Sequence, residues 1–407
     1  MKAFRPFGLH GTVLVMASTH FLVDGYGNIL TPLLPLLITN LNLSLAGAGT
    51  LQMCFQLANS VAQLGFGHVA DRSNPRVLLI VGPLLAVAML PLIGLAPTAW
   101  VLAAVLIVGG LGGAAFHPPA AALVHKYAGR HRGFAMSFHI TSGTLGQAMA
   151  PLIFAPFVQR FGLRGTPWLV IPGLAVLIGV LLRRVPPVER LHESGAARGI
   201  QALRPYARPL SLLYLIVVLR TLTAVSFSTF VPVMLTRRGM TIAQAGTAAS
   251  IYLCAVGAGG FVGGPIADRF GARRVIMLSL VGAVPFLAVA PLLDGWSLVA
   301  MIAIGGFLLQ STLPVNVTFA QMLAPISAAT VSSLMMGFAW GVGGLAAPLV
   351  GMVADRIGID DTLIMMSFMP LVAAALALPL PATRAPHVTA RASDVATVES
   401  AGTDVAE

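Results

Sequence analysis

Charged residues are scarce in this chain, and their scarcity excludes a water-soluble globular fold. Only 9% of the 407 residues are Asp, Glu, Lys or Arg, whereas soluble domains carry about 25%. Hydrophobic residues make up 57% of the chain, and they gather in runs of about 20 residues, the length of a membrane-spanning helix. The alternation over about ten residues that marks barrel strands is missing. The composition therefore predicts an all-α integral membrane protein.

Cysteine and several functional motifs are also nearly or wholly missing. Cys54 and Cys254 fall inside predicted spans, which favours packing residues over a disulfide. No GxxxxGK[ST] sequence occurs, so ATP is not expected to be the energy source. No His/Cys/acid cluster has the spacing of metal ligands, no soluble basic face suits nucleic acid, and residues 1–38 show no clear cleavage site for a signal peptide. We expect no metal and no bound cofactor.

The hydrophobic runs predict twelve transmembrane helices. If the N terminus is cytoplasmic, most Lys and Arg residues fall in cytoplasmic segments, which satisfies the positive-inside rule. The net charge of +11 is thus a signal of topology. We predict a multi-pass protein of a bacterial-type inner membrane with both termini in the cytoplasm. The predicted spans are 12–38, 44–70, 76–96, 99–124, 133–160, 165–183, 209–236, 242–267, 274–293, 297–324, 328–357 and 361–380.

The chain contains an internal duplication. GHVADR at 67–72 returns as GPIADR at 264–269, and QRFG at 159–162 returns as DRIG at 355–358. The offsets are 197 (268 − 71) and 196 (355 − 159), and two further proline-containing pairs share this spacing. We therefore predict two six-helix bundles, 1–183 and 209–380. A basic cytoplasmic linker, 184–208, joins them, and a disordered tail, 381–407, follows.

Several stretches resemble a known family. GHVADRSNPRVLL after span 2 and GPIADRFGARRVIML after span 8 resemble the loop motifs of the major facilitator superfamily. THFLVDGYGNILTPLLPLL, GGAAFHPPAAALV, LPVNVTFAQMLAP and GFAWGVGGLAAPLVG resemble its fosmidomycin-resistance branch of efflux pumps. The chain departs from the pattern at Asn74-Pro75, where a glycine and a basic residue are usual, and at Ala150, which replaces a glycine of an antiporter motif. The resemblance implies alternating access to a cavity between the halves.

Asp24 is the one acidic residue predicted to lie in the middle of a span. It lies about 12 residues into span 1, or about 18 Å at 1.5 Å per residue, near the bilayer midplane. An ionised carboxylate there costs about 2.5–3.5 kcal/mol, so it should face a watery cavity. His20, Asp24 and Asn28 are spaced four apart and share one helix face. We expect Asp24 and His20 to bind and release a proton; alternatively they only join span 1 to a neighbouring helix.

Arg220 is the second isolated charge, about 11 residues into span 7 on the helical reading. Its guanidinium could hold an anionic substrate through parallel hydrogen bonds, pair with Asp24 to lock one conformation, or snorkel to the membrane surface. His117 in span 4 precedes a helix-breaking Pro118-Pro119 pair, and His139 in span 5 lies at a similar depth. Both are candidate substrate-binding residues, with packing as the alternative.

Amide side chains complete the set of candidate substrate-binding residues. Span 2 carries four of them at i, i+4, i+7 and i+11, which predicts a polar stripe on one helix, and span 10 carries three more. They could line the pore or join helices through hydrogen bonds worth about 0.6 kcal/mol each. With Asn28 they are Gln52, Gln56, Asn59, Gln63, Gln310, Asn316 and Gln321.

The family resemblance adds a gating role for Asp71, Arg72, Asp268 and Arg269, which end spans 2 and 8. Asp71 could accept hydrogen bonds from a helix N terminus. Taken together, the sequence predicts a monomeric secondary transporter in the lipid bilayer that uses the proton gradient and exports a small anionic or amphipathic compound. The alternatives are a proton symporter importing an organic anion, and a membrane receptor or lipid-handling protein that transports nothing.

Overall fold

The computed structural model describes residues 9–72, 74–128, 132–184, 200–324, 331, 334–335 and 339–381. Within these ranges every regular element is a helix, which confirms the all-α prediction. Most of the predicted linker (185–199) and the predicted tail from residue 382 lie outside the described residues. The division into two bundles, a linker and a tail stays a prediction.

The helices of the first half lie close to the predicted spans 1–6. Short 3₁₀ helices over Leu90–Leu95 and Leu163–Leu169 and a π-helical turn over Leu57–Val61 interrupt or extend them. The α-helices are α1 (Gly11–Gly27), α2 (Leu30–Leu41), α3 (Leu45–Gln56), α4 (Ala62–Arg72), α5 (Pro75–Met89), α6 (Ala99–Tyr127), α7 (Arg132–Phe161) and α8 (Val170–Arg184).

The helices of the second half follow the same plan. Two 3₁₀ helices, Ile200–Tyr206 and Ala290–Leu292, accompany them. The α-helices are α9 (Ala207–Arg237), α10 (Ile242–Phe270), α11 (Ala272–Val289), α12 (Gly295–Gln310), α13 (Thr312–Leu323), α14 (Ala339–Leu345), α15 (Ala347–Ile357), α16 (Ile359–Ser367) and α17 (Met369–Leu376).

Prolines explain two of the interruptions. Pro32 has no amide hydrogen to bond the carbonyl of Asn28, and α1 gives way to α2 at that point. Pro314 likewise has no amide hydrogen to bond the carbonyl of Gln310, and α12 gives way to α13 at that point. Polar residues thus occur where the helical hydrogen bonding is already broken.

Eight helical runs among the described residues are long and apolar enough to cross a membrane. Spans 2, 5, 6 and 11 are helical near their predicted places but fall short of that measure, so the count of twelve stays a prediction. The eight runs are Gly11–Leu41, Pro75–Leu95, Ala99–Tyr127, Leu203–Arg237, Ile242–Phe270, Ala272–Leu292, Gly295–Leu323 and Ile359–Leu376.

The outer surface of the bundle is apolar. Leu278, Phe261 and Trp168 are about 70% exposed (72%, 71% and 69%), which suits contact with lipid and not with water. Phe116 and Phe319 are fully buried in the interior. The protein is thus an all-α integral membrane fold.

The two halves meet at one end of the bundle. We call the end that carries residues 42–44, 238–241 and 358 the distal face; it lies opposite the start of α1. There α7 packs on α10, and α3 packs on α15. Glycines allow the close approach: a β-carbon at Gly49 would lie 2.3 Å from the Ala347 carbonyl oxygen, and one at Gly351 would lie 2.3 Å from that of Leu45.

Candidate functional site

Asp24 lies between two histidines that come from different helices. Its Oδ2 is 3.3 Å from His20 Nε2 on α1, and its Oδ1 is 3.4 Å from His117 Nε2 on α6. The Asp24 and His20 side chains are each 12% exposed and that of His117 is 16% exposed. His139 on α7 stacks obliquely on His20, with 4.4 Å between ring centroids. The structure therefore brings all three histidines of the sequence prediction to the predicted acid.

The hydrogen bond of the other His20 nitrogen fixes where its proton lies. His20 Nδ1 is 2.8 Å from the backbone carbonyl oxygen of His139. A carbonyl oxygen only accepts, so Nδ1 must be the donor. In a neutral imidazole, Nε2 then presents a lone pair to the Asp24 carboxylate, which is repulsive. The contact is favourable only when a proton lies on one of the two groups or another cation lies between them.

Helices α1 and α7 run side by side with one constant register. His20 meets the carbonyl of His139, and the Asn28 side-chain amide donates to the carbonyl of Gln147 at 2.9 Å. Both pairs are 119 residues apart, and so are Asp24 and Gly143 (143 − 24 = 119). A β-carbon at Gly143 would lie 2.5 Å from His20 Nε2 and 2.8 Å from Asp24 Oδ2. Glycine therefore leaves the space that the acid and imidazole occupy.

Gln147 is a site residue that the sequence analysis missed. Its side-chain Nε2 donates to Asp24 Oδ2 at 2.9 Å. Its backbone carbonyl is available to Asn28 because Pro151, four residues later, has no amide hydrogen. The Gln147 amide is uncharged, so its position in a span did not mark it as functional. Its spacing could have done so, because His139, Gly143 and Gln147 are four residues apart, as are His20, Asp24 and Asn28. We call Asp24, His20, His117, His139 and Gln147 the Asp24 cluster.

Three side chains of the Asp24 cluster form a candidate cation site, contrary to the prediction that no such cluster exists. Ligand atoms of His20, Asp24 and His117 all lie within 4.8 Å of one another, so this cluster offers the donors of a small divalent cation site. Sequence spacing did not reveal it because His117 comes from α6, far along the chain. The same three groups equally suit a proton, and either cation would make the contact between His20 Nε2 and Asp24 favourable. The expectation that the protein binds no metal stays a prediction.

Arg220 occupies the equivalent place in the second half. It is 13 residues after the start of α9 (220 − 207), and Asp24 is 13 residues after the start of α1 (24 − 11). Its side chain is fully buried and donates hydrogen bonds to Gln310 Oε1 and to Thr221 Oγ1. The ion-pair partners of Asp24 are histidines, so the proposed pairing of Arg220 with Asp24 is not present here.

Three of the remaining amide candidates lie in different surroundings. Asn316 is fully buried, and both atoms of its amide find no partner among the described residues. Gln56 is 8% exposed and approaches Gly344 of the second half. Asn59 packs against Gly113 of α6, where a β-carbon would lie 2.4 Å from its Oδ1. Substrate contact by these side chains stays a prediction.

The polar stripe on span 2 is not continuous, which corrects the sequence analysis. The π-helical turn over Leu57–Val61 lies between Gln56 and Gln63 and changes the rotation along the helix. Gln56 consequently faces the other half, while Asn59 faces α6, and the Gln63 side chain donates to the Asn59 carbonyl at 2.7 Å. Gln52 is half-buried before the turn. A continuous stripe would require an uninterrupted α-helix.

The remaining site predictions are not resolved. Asp268 and Arg269 are exposed in the last turn of α10, and the side chains of Asp71 and Arg72 lie outside the described residues. A groove of about 420 Å³ opens between α1, α7 and α8 beside Phe21 and Ser142, within the first half. The large cavity between the halves stays a prediction.

Comparison with known proteins places this geometry in a family. The chain is 29% identical to the fosmidomycin resistance protein of Escherichia coli (strain K12) over 380 residues, which cover 91% of this chain and 92% of that protein. It is also 29% identical over 373 residues to the uncharacterized MFS-type transporter YfnC of Bacillus subtilis (strain 168), covering 88% of this chain and 90% of that one.

Solved structures show the same fold. A bacterial homologue of the human lysosomal transporter Spinster, in an inward-facing and occupied conformation, superposes with a TM-score of 0.77 at 18% identity, covering 93% of this chain and 97% of that one. The family model described as Major Facilitator Superfamily matches residues 16–241 and 213–403. The fold and the sequence agree: this chain is a membrane transporter, not an enzyme, and belongs to the Major Facilitator Superfamily.

Proposed function

We propose that the protein is a proton-coupled antiporter that exports a small anionic or amphipathic compound by alternating access. The contact between His20 Nε2 and Asp24 Oδ2 carries this proposal, because the His139 carbonyl leaves the contact favourable only with a proton or another cation present, and a proton is the one that a transporter can take from the gradient. The largely buried cluster near the predicted midplane can take up one proton and release it when its exposure changes. His117 and His139 belong to the same group, so we assign them to proton binding as well as to substrate contact.

A buried positive charge in the second half supports an anionic substrate. Arg220 is a buried cation at the position that Asp24 holds in the first half, with its fork on Gln310 and Thr221. A guanidinium in such a place suits a carboxylate, phosphate or phosphonate. The similarity to a fosmidomycin resistance protein supports the same class. Because Arg220 is fully buried here, substrate would reach it only after the helices around it move.

We place the protein in a bacterial inner membrane as a monomer with both termini in the cytoplasm. The asymmetric distribution of Lys and Arg supports this orientation. The distal face then lies on the outer side of the membrane. The energy source is the proton gradient, without a bound cofactor.

Import by proton symport is the second candidate, and it uses the same residues. A proton on the Asp24 cluster and an anion on Arg220 could cross together, since their charges cancel. The sign of the effective gradient distinguishes the two candidates. With fosmidomycin as the probe in proteoliposomes, an antiporter accumulates it when the lumen is acidic, and a symporter when the outside is acidic. A receptor or lipid-handling protein would accumulate nothing under either gradient.

Asp24→Asn is the decisive variant. The amide keeps the size of the side chain and its hydrogen-bonding capacity but cannot exchange a proton. We expect gradient-driven accumulation of fosmidomycin to be lost while exchange of fosmidomycin across the vesicle membrane without a gradient persists. Asp361→Asn, which neutralises an exposed acid at the start of α16, is the matched control and should behave as wild type. Full gradient-driven accumulation in Asp24→Asn would sink the proton assignment.

A further inference from the structure

We infer that Asp355 and Gln159 are two latches, related by the internal duplication, that hold the distal face closed. Each caps the N terminus of a helix in the opposite half. A latch here is a side chain of one half that accepts hydrogen bonds from the N terminus of a helix in the other half. This inference concerns the conformational equilibrium and stands apart from the identity of the substrate and the coupling ion.

Asp355 ends α15 in the second half and caps α3 in the first. Its Oδ1 accepts from the Leu45 backbone amide at 2.8 Å, and its Oδ2 accepts from that of Ala46 at 2.9 Å. The first amides of a helix have no partner within the helix, and the helix dipole favours a negative charge there. Ser44 satisfies the Gly47 amide. Three of the first amides of α3 are thus capped, two of them by the other half.

Gln159 ends α7 in the first half and caps α10 in the second. Its Oε1 accepts from the Ala243 backbone amide at 2.9 Å. Thr241 and Gln244 form a capping box on the same helix end. Gln159 is neutral and makes one bond across the halves, so this latch should be weaker than that of Asp355.

The internal duplication relates the two latches to each other. Asp355 and Gln159 begin the repeated sequences DRIG and QRFG and are 196 residues apart. The residues whose backbone amides donate to them, Ala46 and Ala243, are 197 residues apart (243 − 46). Each sequence ends in a glycine with positive φ, 71° at Gly162 and 92° at Gly358, which ends its helix directly after the latch. The same capping contact therefore occurs twice, once from the second half to the first and once from the first half to the second.

The surrounding contacts explain why these bonds must break when the distal face opens. Beside the Asp355 latch, Gly49 and Gly351 hold α3 against α15 at backbone distance. Beside the Gln159 latch, a β-carbon at Gly246 would lie 2.9 Å from the Pro151 carbonyl oxygen. Separating the halves on this face would pull each acceptor from its helix N terminus and break these hydrogen bonds. The latches therefore bias the protein toward the distal-closed state.

Distances between spin labels can test this. We would place labels at Asn40→Cys on α2 and Leu292→Cys beside α11, both exposed, after replacing Cys54 and Cys254 by serine. The protein is reconstituted in lipid nanodiscs without substrate or pH gradient, and pulsed electron resonance gives the distance distribution. Asp355→Ala should raise the ratio of distal-open to distal-closed molecules about fivefold, the factor of an N-cap. Gln159→Ala should raise it about twofold.

Two further variants keep the inference falsifiable. Gln159→Glu preserves the shape and adds the missing charge, so it should lower the distal-open ratio about twofold. Asp361→Ala removes an exposed acid of the same face and should leave the distribution unchanged. If Asp355→Ala does not fold, Asp355→Asn replaces it, with a smaller rise expected. A distribution in the Asp355 variant equal to wild type, or an equal rise in Asp361→Ala, would overturn the inference.

Discussion

Gly143→Ala should disable the Asp24 cluster without adding or removing any charge. The new methyl group would lie 2.5 Å from His20 Nε2 and 2.8 Å from Asp24 Oδ2, whereas carbon contacts settle near 3.5 Å. Both side chains must therefore retreat by about 1 Å, which the ends of flexible side chains can do. Because the two groups are now 3.3 Å apart, a displacement of this size breaks their contact. A misplacement of about 1 Å can cost about 100-fold in rate, and we expect a loss of that order in gradient-driven transport.

The assay compares transport with folding in the same preparations. Alanine is about 1 kcal/mol better than glycine within a helix, so the thermal unfolding temperature should change little while transport falls. Gly65→Ala in α4 is the matched control, because a β-carbon there meets nothing within 4 Å. It should transport normally. Wild-type rate and pH dependence in Gly143→Ala would show that the contact between His20 and Asp24 is not needed, and would refute the reasoning.

Three further variants test other parts of the structure. Arg220→Lys should impair uptake of fosmidomycin nearly as much as Arg220→Ala in proteoliposomes, because lysine lacks the fork that bridges two acceptors; normal affinity with lysine would reduce Arg220 to a point charge. His20→Gln should move the midpoint of the transport-versus-pH profile by about one unit or more, and a fall in amplitude alone would indicate a purely structural role. Arg238→Ala should lower the free energy of unfolding by about 2 kcal/mol, since Arg238 donates to two backbone carbonyls and pairs with Asp294 and Asp360 on the distal face. Most of that loss comes from the carbonyls, because exposed ion pairs contribute little; chemical denaturation that matches wild type would contradict it.

The sequence carried most of the architecture because membrane helices leave strong local signals. Long apolar runs place the spans, and the repeat offset of 196–197 indicates the duplication without any knowledge of contacts. The exception is the shape of the helix within span 2. The π-helical turn at Leu57–Val61 has no distinctive residue pattern, so a continuous helix was the natural prediction and the polar stripe was wrong.

The candidate site was predictable only in part, for a physical reason. Asp24 and His20 stand out because a charge in lipid is costly, and their spacing puts them on one face. The approach of His117 and Gln147 depends on how α6 and α7 pack against α1, which no local pattern specifies. Gln147 was missed because a neutral amide costs little free energy within a membrane helix, so its presence there does not indicate a function. Asp355 was overlooked for a different reason: an acid at a span end is common, and its contact with the amides of Leu45 and Ala46 joins residues about 310 apart in the chain.

The π-helical turn in span 2 has a consequence for changes in chain length. Such a turn accommodates one more residue than an α-helical turn, so deleting one residue from Leu57–Val61 would let the helix close as an ordinary α-helix. The part near the distal face would keep its capping at Ser44, and everything beyond the deletion would keep its orientation, because the turn loses only the residue that it holds in excess of an α-helical turn. The span would lose only about 1.5 Å of length. A single deletion there should therefore be mild for insertion and for the packing beyond the turn, whereas a single deletion from a regular stretch of α-helix would rotate everything after it by about 100°.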